Sequence, residues 1–104
     1  MSRVIHKFEI PVPGDDASVL VRMPSDAVVL SVGTQNGDIY VWALVNTTKP
    51  MSRKKFFVFG TGHPFPEGTP PLKFVGTVHM TAHIGGGFLV WHVFVEKPPR
   101  TVPD

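Results

Sequence analysis

Hydrophobic and polar residues alternate along most of this chain with the period of two that is typical of β-strands. Residues 3–10 and 18–23 each alternate in this way and are each followed by a proline. Between residues 27 and 46, two runs rich in β-branched and aromatic residues flank Asn36 and Gly37. Because both residues tolerate the positive φ angles of a type I′ turn, this segment predicts a β-hairpin.

Three further runs predict strands at residues 54–60, 73–80 and 88–96. A loop over residues 61–72 with four prolines separates the first two, and three glycines at 85–87 precede the last. The pattern therefore indicates an all-β fold, a compact antiparallel sandwich or small barrel of about seven strands with no substantial helix.

The sequence also predicts the structure of residues 18–23 and the division of the chain into a domain and a tail. Residues 18–23 read best as a strand, although Asp16 and Ser18 are also residues that cap a helical turn. The chain reads as one β domain over residues 1–96, followed by a proline-rich tail at 97–104 that is extended or disordered.

Several predicted strands are apolar on both faces. In the second strand of the hairpin, Ile39 and Val41 begin one apolar row, while Tyr40, Trp42 and Leu44 form the other. A sandwich normally shows one face of each sheet to water, so the second row needs cover. We expect another copy of the chain to provide it, in a homo-oligomer; the alternative is that loops such as residues 61–72 fold over the outer face.

Composition excludes several classes of protein. The chain of 104 residues has no cysteine, which rules out disulfides and thiolate chemistry. Its net charge of +2 is too small to indicate binding to duplex nucleic acid. No apolar run approaches the roughly 18 residues of a membrane helix, and no signal peptide is evident at the N-terminus, so we expect a cytoplasmic protein with no membrane partner.

The segment GTGHP at residues 60–64 is the first candidate site. Its glycines let backbone N–H groups approach an anion, and it follows a strand that starts with basic residues. Pro64 rules out the helix of a phosphate-binding Walker loop, and a tight turn explains the same glycines. Aromatic rings that can stack on a base complete a hypothetical nucleotide pocket, whose ligand-binding residues are Arg53, Lys55, Gly60, Thr61, Gly62, His63, Trp42 and Trp91.

Metal binding and catalysis have weaker support. His79 and His83 lie about 13 Å apart along an extended strand, too far to share one ion with His92 unless a turn intervenes. The apolar neighbours of His92 favour a packed histidine bonded to the backbone. No metal, cofactor or catalytic residue is therefore predicted, and a nucleotide hydrolase with His63 as base is a minor alternative.

Three motifs together resemble a family of small uncharacterised all-β proteins and domains from bacteriophages and prophage-bearing bacteria. They are LSV with QNG and WALV at residues 30–45, GTGHP at 60–64, and GGFLVWHVF at 86–94. The resemblance covers about residues 5–96. It implies a phage accessory protein in the host bacterial cytoplasm, and accessory proteins of this size often act against host defence.

We therefore expect a non-enzymatic binding protein with anti-defence activity, built on an oligomeric β scaffold. It would sequester a small nucleotide-type ligand or bind a host protein. A structural component of the virion or of its assembly is the alternative from another class.

Overall fold

The computed structural model describes residues 2–14, 16–81 and 88–98 and consists of seven β-strands in two antiparallel sheets. No helix occurs among these residues, so the all-β prediction is confirmed. The strands are β1 (Arg3–Ile10), β2 (Ser18–Pro24), β3 (Val28–Gln35), β4 (Asp38–Asn46), β5 (Met51–Gly60), β6 (Leu72–Thr81) and β7 (Phe88–Glu96).

The two sheets pack face to face as a sandwich. The three-stranded sheet has the order β1-β4-β3, and the four-stranded sheet has the order β2-β5-β7-β6. β3 and β4 form the predicted hairpin, with Asn36 at φ 52° and Gly37 at φ 82°. These two positive angles are those of a type I′ turn, which explains why this dipeptide stands there.

The core fills the space between the sheets. β4 contributes its odd-numbered residues, of which Val41, Ala43 and Val45 are fully buried. Phe56 of β5 and Val93 of β7 meet them from the other sheet and are also fully buried. The alternation predicted for β4 is therefore confirmed, because its inward residues are the most buried side chains of the sheet.

β5 and β6 differ from the sequence prediction. β5 starts at Met51, three residues earlier than expected, because its first residues pair with Arg22 to Pro24 of β2. In β6, the register shifts between Phe74 and Gly76, so a bulge at Val75 changes the alternation. Phe74 therefore faces outward, and the prediction that it shares a face with Val78 was wrong.

A loop covers the outer face of the four-stranded sheet near its centre. Phe59 points away from the core between the sheets, yet it is only 3% exposed. The ring of Phe65, from the loop after β5, stacks on it with centroids 3.9 Å apart and an angle of 9° between the rings. Phe94 meets both rings edge-on at 5.9 and 5.6 Å. For β5, the cover is thus the chain's own loop, which was the alternative to the expected second copy.

The outer face of the three-stranded sheet is more open. Tyr40, Trp42 and Leu44 are half-buried there, while the neighbouring Ile5 is 58% exposed and Val28 is also exposed. Lys7 shields one ring, since its Nζ lies 4.5 Å from the Tyr40 centroid and donates to Oε1 of Gln35 at 2.7 Å. This face therefore keeps an apolar row that is accessible to solvent.

Replacing Trp42 with alanine is expected to cost only about 1–2 kcal/mol of unfolding free energy. The half-buried ring rests on Gly33 and leaves the core intact, whereas a core tryptophan would cost about 3–5 kcal/mol. Urea denaturation measures the difference. A loss in the larger range would mean that the ring is covered in solution, by another segment or another copy.

Some predictions concern residues outside the described ranges. These are the connection at Gly85-Gly86-Gly87, His83, and the tail from residue 99 onward. The boundaries of β1 and β7 are those predicted, and that of β2 differs by one residue.

Candidate functional site

The GTGHP segment forms a tight turn at the end of β5. The N–H of His63 donates to the carbonyl of Gly60 at 3.1 Å, and Gly62 has a φ of 88°. The His63 imidazole lies against Gly60, where a Cβ would be 2.8 Å from two ring atoms. The structure thus explains both glycines. Gly62 adopts a positive φ, and Gly60 lets the His63 ring approach closely.

Two of the predicted basic residues lie on the outer face of the four-stranded sheet. Arg53 and Lys55 alternate with the inward residues of β5, and Nζ of Lys55 lies 5.5 Å from the Phe57 ring centre. Farther along this face, the ring of His92 is hydrogen-bonded to two hydroxyls, with Thr61 Oγ1 2.8 Å from Nε2 and Thr77 Oγ1 2.9 Å from Nδ1. The partners of His92 are therefore hydroxyls and not the predicted backbone groups.

The two tryptophans lie in different regions. Trp42 lies on the outer face of the three-stranded sheet, on the opposite side of the sandwich from Arg53 and Lys55. Trp91 points inward from β7 and packs against the core, and its buried Nε1 has no hydrogen-bond partner among the described residues. The fold does not bring all eight predicted residues into one pocket.

A cavity of about 480 Å³ does bring His63 and Trp91 together. Val58, Phe59 and Phe65 also line it, as do prolines 13, 64 and 66. Its walls are mostly apolar, and His63 is the one titratable side chain among its lining residues. This cavity therefore lacks a cluster of cations that could hold a phosphate.

The histidines do not form a metal site in the part of the chain that is described. His79 is exposed on β6, while both ring nitrogens of His92 are engaged by threonines. Within the described ranges, no three histidine or carboxylate side chains are close enough to hold a metal ion.

One aspartate has a shifted pKa. The backbone N–H and the hydroxyl of Ser18 donate to the two carboxylate oxygens of Asp16, at 3.2 and 3.1 Å, and hold its pKa below the ordinary value. Asp16 therefore stays ionised at neutral pH and caps the turn before β2, which is unsuited to a general acid.

A second cavity, of about 290 Å³, opens between the sheets at the end of the core. Its walls combine apolar residues with three lysines and one glutamate. We call it the lysine cleft. Its lining residues are Ala27, Val28, Val29 and Leu30 at the start of β3, Lys54, Lys73, Phe74, Val75, Val95 and Glu96 of the four-stranded sheet, and Lys97 and Pro98 directly after β7.

The strand register explains why the lysines converge. Phe56 pairs with Val95, which in turn pairs with Lys73. Lys54 precedes Phe56 by two residues and Lys97 follows Val95 by two, so both lysines lie beyond this last pair of the register, at the same end of the sheet. The three cations thus continue the inner face of the four-stranded sheet beyond its apolar core.

Sequence reasoning selected Arg53 and Lys55 but passed over the residue between them. The signal that could have found it is alternation, because Lys54 shares its face with Phe56 and Val58. An inward-facing lysine at the end of the apolar face of a strand indicates where the space between the two sheets opens to solvent. The other two lysines could not be joined to it without knowing the strand order.

A comparison with protein families now places the chain. The family model described as Domain of unknown function (DUF7352) matches residues 1–103. The chain belongs to the DUF7352 family. This confirms an uncharacterised family, and in this member the matched region includes every strand and the whole lysine cleft. No curated protein and no solved structure matches the chain. The described part of this DUF7352 chain contains no helix able to span a bilayer.

Proposed function

We propose that this DUF7352 protein is a non-enzymatic binding protein that holds a small phosphate-bearing ligand of nucleotide type in the lysine cleft. The observation that carries the proposal is the convergence of Lys54, Lys73 and Lys97 on one cavity with apolar walls. One carboxylate, Glu96, lines the same cavity, so the lysines outnumber it three to one. A concave site with apolar walls and a few charged groups is typical of small-molecule binding.

Like charges on neighbouring strands favour an anion in this cleft. Lys54 and Lys97 line the same cavity, and ammonium groups that share a small cavity repel each other. A phosphate between Lys54 and Lys97 would turn this repulsion into two attractive contacts. Lys73, beside Val95 in the next strand, can reach the same anion.

The apolar part of the cleft fits the remainder of a nucleotide. Val95 is a buried core residue and Val75 packs against the core, and both line this part of the cavity. Leu30, at the register shift in β3, lines the cavity from the other sheet. A volume of about 290 Å³ is at the lower end for ligand pockets, which favours a mononucleotide or a cyclic nucleotide over a larger cofactor.

Thermal unfolding in the presence of nucleotides tests this proposal. A panel of cyclic mononucleotides, ADP-ribose-type compounds and inorganic phosphate is compared, and a true ligand at a hundredfold excess over its Kd adds about 2.7 kcal/mol of stability. Lys54→Gln and Lys73→Gln are expected to abolish the shift, whereas Lys49→Gln, in the exposed loop before β5, retains it.

The ligand-free Lys54→Gln variant gives a second readout. Removing one of the ammonium groups that share the cleft is expected to leave its melting temperature equal to or above that of the wild type. A panel without any shift, or shifts that survive in both lysine variants, would contradict the cleft as the binding site.

The biological setting belongs to the same proposal. We infer that the protein is a phage accessory factor acting in the host cytoplasm, where removing a nucleotide signal would blunt a defence response. The support is the resemblance of its three motifs to phage-encoded proteins together with the lysine cleft.

A host protein is the second candidate ligand, and a specific observation favours it. Ile5 and Val28 are exposed on the outer side of the three-stranded sheet, which also carries the half-buried Trp42. Accessible apolar residues around an aromatic ring are common in protein interfaces. Protein binding at this face would persist in the cleft variants, so the two candidates are separable.

A further inference from the structure

The free edge of β1 differs from the other sheet edges. β3 and β6 each contain a bulge, and β2 ends at Pro24, three features that interrupt pairing with another chain. β1 pairs with β4 without interruption from Arg3↔Asn46 to Ile10↔Ile39 and contains neither proline nor glycine. Of the four edge strands described, β1 alone offers a regular edge over its full length.

The side chains of β1 are also unusually accessible. Residues 3–7 are exposed on both faces of the sheet, including Ile5 at 58% and Val4 at 38%. No described strand pairs with the outer edge of β1. Its outward N–H and C=O groups are therefore available for main-chain hydrogen bonds to another strand.

We propose that β1 pairs with β1 of a second copy, joining two three-stranded sheets into one continuous six-stranded sheet. The contact is isologous, with a two-fold axis perpendicular to the sheet. It does not depend on ligand binding at the lysine cleft. Such an axis keeps equivalent faces of the two sheets on the same side. Because side chains alternate between the faces, two directly opposed residues must both have even numbers or both have odd numbers.

Charge selects the register. With His6 opposite itself, Arg3 of each copy lies opposite Glu9 of the other, which gives two attractive pairs. If each strand slips by one residue in one direction, Arg3 of one copy lies opposite Lys7 of the other. If each slips in the other direction, the Lys7 residues of the two copies lie opposite each other. Both slipped registers bring like charges together, so the register centred on His6 is favoured.

The same register covers the exposed apolar residues. Val4 of one copy lies opposite Phe8 of the other on the inner face, and Ile5 lies opposite the stem of Lys7 on the outer face. In each copy, Ile5, Leu44 and Val28 already form a row across the three strands. Joining the edges extends these rows across the dimer.

Exchange of charges tests both the interface and its register. Sedimentation of the full chain over a wide concentration range is expected to give twice the 11.4 kDa chain mass for the wild type. Arg3→Glu and Glu9→Arg each replace two attractive pairs by two repulsive ones and should weaken the dimer about tenfold or more. The double variant R3E/E9R restores the attractive pairs and should recover the dimer.

Two further variants complete the design. Lys49→Glu makes the same change of charge as Arg3→Glu in an exposed loop and should leave the dimer intact. His6→Lys places two ammonium groups at the two-fold axis and should weaken it. Circular dichroism confirms that each variant is folded, as expected for exposed positions.

Three results would overturn the proposal. One is a wild-type chain that stays monomeric at every concentration. Another is a dimer unaffected by either single charge reversal, which would assign the contact to a sheet face. The third is a double variant R3E/E9R that is folded and fails to recover the dimer.

Discussion

Phe59→Ala is expected to lower the free energy of unfolding by about 3–5 kcal/mol, as for a phenylalanine in a core. The residue points away from the main core but is only 3% exposed, because Phe65 stacks on it and Phe94 packs against its edge. Removing the ring would leave a cavity beneath the loop and take away the surface on which Phe65 rests. Urea denaturation monitored by fluorescence or circular dichroism measures the loss.

Phe74→Ala is the matched control for this prediction. Phe74 belongs to the same outer face and also contacts Phe94, yet it is 55% exposed, so its loss should cost only about 1 kcal/mol. Equal losses for the two variants would mean that the loop does not cover Phe59 in solution. In that case, the outer face of the four-stranded sheet would need another cover.

Gly76→Ala is expected to destabilise the protein by about 1–3 kcal/mol through overpacking. A methyl group at this position would lie 2.7 Å from Cγ1 of Val32, which belongs to the opposite sheet. Val32 packs against the core and its branched side chain has few rotamers, so the contact is costly to relieve. The cost should appear as a lower denaturation midpoint with an unchanged m value.

Gly14→Ala and a double variant make the test of Gly76 specific. A Cβ at Gly14 meets no atom within 4 Å, and neither glycine is among those with positive φ, so the control changes stability little. Adding Val32→Ala to Gly76→Ala should recover part of the loss, which gives a favourable coupling of about 1 kcal/mol or more. Additive losses would show that the steric contact is not the cause.

The prediction of the fold succeeded where the signal is local. Asn36 and Gly37 specify their turn through their own φ preferences, and no distant contact is needed. Alternation similarly identified β1 and β7 with their observed ends. The bulge in β6 was not predictable in this way, because it depends on how the strand pairs with β7 and on the close approach of Val32 to Gly76.

The prediction of the site was less complete for a related reason. The sequence prediction grouped Arg53 and Lys55, which are close in the chain, with Trp42. In the structure, Trp42 lies on the opposite side of the sandwich from the two basic residues. The lysine cleft draws on residues from four separate segments of the chain. Their convergence depends on the strand order β2-β5-β7-β6, and alternation within each strand carries no information about that order.

By itself, the sequence determined which segments become strands, where the tight hairpin turns, and that apolar residues exceed what one core can hold. Only the tertiary structure decided how the excess is divided: Phe59 on one outer face lies beneath the loop with Phe65, and the other outer face keeps Ile5 and Val28 in solvent. The reason is physical. Turn angles and alternation are properties of neighbouring residues, whereas cover and charge convergence depend on contacts between segments far apart in the chain.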